Sequence, residues 1–189
     1  MDKRKRTVCV FCGSSRGNKP SYAAAAKEIG NLIAREGFSL VCGGGGLGLM
    51  GETARAVRDG GAEVIGILPD FLRHLEPPLA RGESVRVVPD LFERKRQMLD
   101  ADAFIVLPGG LGTMDEFYEV VTSAQLEVHR RPIVLLNVDG YYDPLIALMK
   151  HIVREGFAKP SSLDLYRVAA TAKEAMAFLT QAPGSKSAP

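Results

Sequence analysis

The sequence predicts an α/β fold, a single-domain doubly wound parallel sheet with helices on both faces. Three observations predict it. Short apolar runs alternate with helical segments along the chain, as in βαβ units with right-handed crossovers. Those runs are apolar throughout instead of alternating, so both faces of each strand need cover. The glycine-rich segments fall at the carboxyl ends of the runs, where such sheets bind ligands.

The elements follow in order. Residues 7–12 form a first strand and 13–20 a loop. Residues 22–36 are alanine-rich, carry apolar positions at helical spacing, and stop at Gly37. Residues 38–42 form a second strand, then a glycine run leads into a helix over 49–58 that stops at Gly60 and Gly61. Residues 62–68 form a third strand. The stretch 69–83, with Pro77 and Pro78, is irregular. Strands over 84–88, 103–107 and 132–136 are separated by helices over 91–100 and 113–125. A helix over 142–155 ends at Gly156, a seventh strand spans 165–168, and a last helix spans 171–180 from a threonine start. The catalytic domain thus covers 7–180, between a basic leader (1–6) and a polar, disordered tail (181–189).

Composition narrows the function. A chain of 189 residues fits one domain, and 46% hydrophobic content allows a sizeable core. The 24 basic and 22 acidic residues give a net charge of +2 without blocks of one sign, so no nucleic-acid or membrane surface is expected. The leader reads as a solvated segment. No apolar run reaches the roughly 18 residues of a membrane helix, and no secretory leader is visible. Cys9, Cys12 and Cys42 are an odd set, which fits a reducing cytoplasm. The C-x-x-C spacing of Cys9 and Cys12 lies inside a strand, so buried thiols are expected, not a redox or zinc site.

Two glycine-rich loops carry the candidate chemistry. The run over 42–51 follows a strand, opens a helix and contains G-x-G-x-x-G at Gly43, Gly45 and Gly48. A mononucleotide site, a dinucleotide site and a tight structural turn all fit that pattern. The second loop is P-G-G-x-G-T-x-x-E over 108–116. Its glycines allow a backbone cradle, and Thr113 can cap the helix and donate a hydroxyl to a phosphate. No Lys-Ser/Thr pair follows, which disfavours triphosphate hydrolysis. Alone, Glu116 also reads as a capping carboxylate satisfied by the helix dipole. Alone, Arg94 and Lys95 also read as an ordinary charged helix face.

Together these pieces point further. The chain carries V-F-C-G-S-S over 10–15, the glycine run ending at Gly51, Arg94-Lys95 with Met98, the loop ending at Glu116, and L-N-V-D-G-Y-Y over 136–142. In this order they closely resemble the LOG family, the cytokinin riboside 5′-monophosphate phosphoribohydrolases, also labelled "lysine decarboxylase-like". The resemblance covers roughly residues 7–180. It implies a Rossmann-like fold, no metal or other cofactor, a homodimer or higher homo-oligomer, and release of free base plus ribose 5-phosphate from AMP or an N6-modified AMP. It implies Arg94 and Glu116 as the catalytic pair. It implies a phosphate loop of Gly110, Leu111, Gly112 and Thr113, with Met114 and Asp115 following. Lys95, Thr122 and Glu76 match nucleotide contacts, and Ser14 and Gly43 line the same cleft. Departures are Glu76-Pro-Pro78, Cys42 where a tyrosine is common, Asp115 where a second glutamate is common, and a connection from Arg94 to Pro108 one residue short.

Three other readings compete. A non-catalytic module would hold a nucleotide without chemistry. A nicotinamide oxidoreductase would need a ribose-binding acid and a second substrate region, and neither is apparent. Lysine decarboxylation would need a Schiff-base lysine, and only Lys95 is near a motif.

Overall fold

The computed structural model describes residues 5–74 and 84–181. Most of the basic leader, Glu76 and the polar tail beyond 181 lie outside the described residues.

Seven parallel strands form one sheet: β1 (Thr7–Phe11), β2 (Ser39–Cys42), β3 (Val64–Pro69), β4 (Ser84–Val88), β5 (Ala103–Val106), β6 (Ile133–Leu136) and β7 (Arg167–Ala169). Their spatial order is β4-β3-β2-β1-β5-β6-β7. The direction of winding therefore reverses between β1 and β5, and a crevice opens outside their carboxyl ends. Among the described residues six α-helices cover the sheet: α1 (Pro20–Arg35), α2 (Gly48–Asp59), α3 (Leu91–Met98), α4 (Leu111–Gln125), α5 (Asp143–Arg154) and α6 (Ala172–Gln181).

Helices α1, α2 and α6 pack on one face, around Val8, Val10, Ile29, Leu40, Val57 and Leu179. Helices α3, α4 and α5 pack on the other, around Cys9, Phe11, Phe104, Phe117, Leu135 and Met149. The central strands β1, β2, β5 and β6 are buried on both faces, as their uninterrupted apolar runs require. Strand β4 is an edge and its side chains are mostly exposed. Successive side chains of β1 alternate between faces, so Cys9 and Cys12 enter opposite cores and the C-x-x-C spacing brings no thiol pair together.

Element boundaries shift by one to three residues from the predicted ones, and one shift matters. Helix α4 begins at Leu111, two residues before the predicted start, with Gly110 as its N-cap. Thr113 is thus inside the first turn and does not cap the helix. At the far end of the chain the threonine start is a capping pair: Glu174 N–H donates to Thr171 Oγ1 at 3.2 Å and Ala170 N–H donates to Glu174 at 2.8 Å.

The turn between α3 and β5 is held by side chains from elsewhere in the chain. Arg131 donates through Nη1 to Leu99 O and to Ala101 O, the latter at 2.9 Å, and its guanidinium lies 5.3 Å from the Phe104 ring. Asp102 closes the turn on β1 by accepting from Thr7 N–H at 2.8 Å. Hydrogen bonds from a charged donor are worth about 1.5–3 kcal/mol each. Arg131→Ala is expected to destabilise the fold by about 2–3 kcal/mol in denaturant melts, and a loss below about 0.5 kcal/mol would show the turn holds without it.

Candidate active site

Three loops meet at the crevice through Gly13. Its N–H donates to Pro108 O at 3.0 Å, and its carbonyl accepts from Leu49 N–H at 3.0 Å and Met50 N–H at 3.3 Å. The loop after β1 is thereby tied to the loop after β5 and to the start of α2. Gly48 has φ +58° and lies so close to Ser14 that a methyl group there would overlap the Ser14 carbonyl and the Ser15 nitrogen.

These contacts decide between the two glycine-rich loops. The first N–H groups of α2 are spent on Gly13 O, and Gly45 N–H faces Met50 Sδ at 3.2 Å. The run over 42–51 is thereby held as a tight turn in which the Leu49 and Met50 amides are already engaged. The start of α4 is open. It has no side-chain cap and no acidic residue in its first turn. Among the described residues the N–H groups of Gly110, Leu111 and Gly112 have no partner. Four orphan N–H groups and the positive end of the helix dipole are a ready anion site. Thr113 is 4% exposed and turns its side chain onto Gly109.

One turn further into α4 sits Glu116, 6% exposed. At that depth it cannot cap the helix. Its partner comes from α3: Arg94 Nη2 stands 2.9 Å from Glu116 Oε1, with the arginine side chain 15% exposed. The pairing is by charge and distance. Arg94 Nε and Glu116 Oε1 have no well-directed hydrogen bond among the described residues. Burial pushes the Glu116 carboxyl up to about 7, against the opposing pull of Arg94. Gly43 lies against the Arg94 guanidinium, and a methyl group there would displace it. Behind the site burial pushes the Cys9 and Cys12 thiols up, with the charge of Glu116 adding to it.

An acid held half-ionised near neutrality, paired to an arginine and one turn behind an anion seat, is a catalytic arrangement in general terms. Comparison with known proteins makes it specific. The family profile described as "Possible lysine decarboxylase" matches residues 50–179. The cytokinin riboside 5′-monophosphate phosphoribohydrolase LOG3 of Arabidopsis thaliana is 48% identical over 176 residues, 92% of this chain and 82% of that protein. This chain belongs to the LOG family. The family's phosphoribohydrolase LOG of Oryza sativa subsp. japonica is 47% identical over 175 residues, 90% of this chain and 71% of that protein. Solved structures share the fold at lower identity. The molybdenum cofactor binding protein of Rippkaea orientalis superposes with a TM-score of 0.73 at 23% identity, over 95% of this chain and 98% of that one.

The LOG motif residues do not all converge in this chain. Arg94, Glu116, Gly43 and the start of α4 do. Ser14 lines a neighbouring cavity of about 270 Å³ with Ser15, Arg16, Gly110 and Tyr141. Lys95 lies beside Glu116 and is engaged by two carboxylates: its Nζ is 2.6 Å from Glu119 and 3.2 Å from Asp115, so it clips α3 to α4. Asp115 is exposed and engaged in that clip, and Met114 packs against the core. Thr122 follows Asp115 by seven residues on the exposed side of α4, and no described contact joins it to Arg94 or Glu116. Glu76 lies outside the described residues.

Sequence reasoning missed Glu119, the stronger partner of Lys95, and the hub role of Gly13. Glu119 had a legible signal, its place one turn beyond Asp115 on the same helix side. Gly13 had none, because its partners are 36 and 95 residues away.

Proposed function

We propose that this protein hydrolyses the N-glycosidic bond of a nucleoside 5′-monophosphate, AMP or an N6-modified AMP, releasing free base and ribose 5-phosphate. The observation that carries the reading is the buried Arg94–Glu116 pair one turn behind the open start of α4. The phosphate sits on the N–H groups of residues 110–113, and the ribose then lies over Glu116. Cleavage builds positive charge on the sugar ring. A fixed carboxylate beneath it stabilises that charge and orients water for attack on C1′. The water oxygen ends on C1′, and its proton balances the departing base. The Arg94 guanidinium offers hydrogen-bond donors and no acceptor. Its role is to hold Glu116 and the nucleotide with a rigid fork. Ser14 and Gly43 complete the cleft.

The relatives named as cytokinin riboside 5′-monophosphate phosphoribohydrolases support this chemistry. The decarboxylase label fits the site poorly. Glu119 first and Asp115 second hold Lys95 as an ammonium and push its pKa up. A Schiff-base lysine needs the opposite shift. The direct test is incubation with AMP, isopentenyl-AMP, GMP and CMP, with adenosine as the control lacking phosphate. Free base from AMP supports hydrolysis. Tight AMP binding without base release would reduce the protein to a nucleotide-binding module.

The pH profile is a second test. Only ionised Glu116 can stabilise the cation, and its carboxyl ionises near pH 7 in the free protein. The profile of kcat/KM is therefore expected to rise about tenfold per unit below pH 7 and to level off above it. A flat profile from pH 5 to 8 would remove Glu116 from the step that sets kcat/KM.

We further propose a homodimer in the cytoplasm. Among the described residues no helix is long and apolar enough to cross a membrane, and Cys9, Cys12 and Cys42 are buried. Leu111, 90% exposed at the start of α4, and Leu126 at its end leave apolar surface for a second copy. Light scattering giving a monomer mass would refute the dimer.

A further inference from the structure

Two consecutive tyrosines grip the loop that becomes the start of α4. They stand in the connection between β6 and α5, after a turn with positive φ at Asp139 and Gly140. Asn137 fixes that turn by accepting from Tyr142 N–H at 2.7 Å. The Tyr142 hydroxyl donates to Leu107 O at 2.5 Å, deep in the core. The Tyr141 hydroxyl donates to Gly109 O at 2.6 Å, two residues further along the same loop. The Tyr141 ring is wedged edge-on between Tyr142, at 4.8 Å, and Tyr22, at 5.6 Å. It is 38% exposed and lines the cavity beside Ser14 and Gly110.

The consequence lies in the geometry of one peptide unit. The Gly109–Gly110 bond is trans, so the Gly110 N–H points opposite to the Gly109 carbonyl. Anchoring that carbonyl on Tyr141 aims the Gly110 N–H away from Tyr141, at the open end of α4. Neither residue of this unit has a side chain of its own; Thr113 packs on Gly109, and the Tyr141 hydroxyl holds the Gly109 carbonyl. A carbonyl that accepts a hydrogen bond also makes its amide a better donor. One turn along α4, the buried Glu116 Oε1 is ion-paired to Arg94 at 2.9 Å and has no well-directed hydrogen bond, so it can still accept one.

We propose that Tyr141 is a positioning residue for the phosphate of the substrate, setting the Gly109–Gly110 peptide so that the Gly110 N–H meets the anion. The proposal rests on the phosphoribohydrolase reading above. It assigns the two tyrosines different tasks. Tyr142 braces the loop from inside the core. Tyr141 orients the donor that the substrate touches.

The test compares Tyr141→Phe with Tyr142→Phe and the unaltered protein. Tyr141→Phe keeps the ring and its edge contacts and removes one hydroxyl. It is expected to raise KM for AMP and the inhibition constant of ribose 5-phosphate together, by about 5–10-fold, the size of one such hydrogen bond. It is expected to leave kcat within about twofold, and inhibition by adenosine, which lacks the phosphate, and the melting temperature unchanged. Tyr142→Phe is expected to lower the melting temperature instead. Unchanged KM and ribose 5-phosphate inhibition in Tyr141→Phe would overturn the proposal. Equal weakening of adenosine and AMP would overturn it too, because the hydroxyl would then support the cleft in general. If the unaltered protein neither binds AMP in calorimetry nor releases adenine, the phosphoribohydrolase reading itself fails. If it does both and Tyr141→Phe matches it, only the role of Tyr141 fails.

Discussion

Glu116→Gln is expected to lower kcat for AMP by at least about 10²-fold, the usual size of one lost electrostatic contact to a transition state. AMP binding is expected to persist within a few-fold. The separation follows from the geometry. The phosphate is held by backbone N–H groups at the start of α4, which the substitution does not touch. The amide also fills the volume of the carboxylate and offers Arg94 an acceptor at the same place. What disappears is the negative charge, and that charge matters only once the ribose becomes cationic. Steady-state kinetics paired with calorimetry on AMP would check it. Undiminished turnover in this variant would remove the carboxylate from the mechanism. The variant is also expected to lose the rise in kcat/KM near pH 7, since no group of that pKa remains on the pair. A stability effect accompanies this. The unfolded chain ionises its glutamate near 4.5 and the folded one near 7. Between those values the native state binds the extra proton, so stability contributed by neutral Glu116 is present below 4.5 and is lost as pH rises to 7.

Gly48→Ala is expected to destabilise the fold by about 2–5 kcal/mol. About 1–2 kcal/mol comes from forcing a side chain into the left-handed region at φ +58°. About 1–3 kcal/mol comes from overpacking against the Ser14 carbonyl and Ser15 nitrogen, which are backbone and cannot swing aside. In a domain of this size each kcal/mol lowers Tm by about 2–4 °C. The damage is expected to reach the site as well. Displacing Ser14 moves Gly13, and Gly13 ties the β5 loop through Pro108. A drop in kcat/KM for AMP of about tenfold or more is expected at a temperature where the variant is folded, as for a misplaced catalytic geometry. Gly61→Ala is the control. Gly61 has φ +80° but open space around its Cβ position, so it carries the backbone strain alone. Equal losses in the two variants would show that the collision at Gly48 is not felt.

The strand sequence, the helix sequence and both glycine-rich loops were legible because hydrophobic patterning and turn chemistry are local. Residues 103–107 are apolar on every position and had to be an inner strand, and β5 spans Ala103–Val106 between two neighbours. The start of α4 was placed two residues late. Leu111 and Gly112 carry no helical pattern of their own, since both are exposed and neither packs on the sheet. That error also made Thr113 a cap when it is an interior residue turned onto Gly109.

The candidate site shows the same division. The resemblance to the LOG family names Arg94 and Glu116, and the structure brings them to 2.9 Å. Lys95, the next residue, matches a nucleotide contact in the resemblance, and in the structure it is ion-paired to Glu119 and Asp115. Neighbours on a helix point about 100° apart, so one reaches the crevice while the other reaches the flank of α4. Thr122 lies on that same flank for the same reason.

The sequence by itself determined a parallel α/β sheet and the end of it that carries the loops, and its resemblance to the LOG family singled out the arginine and glutamate. Only the tertiary structure decided which helix start is open. Two glycine-rich loops look alike as strings, but the carbonyl of Gly13, brought in from another strand, satisfies the amides of α2 and leaves those of α4 unmet. An amide's availability depends on what stands within 3 Å of it, and distance in space is what a string of residues does not contain.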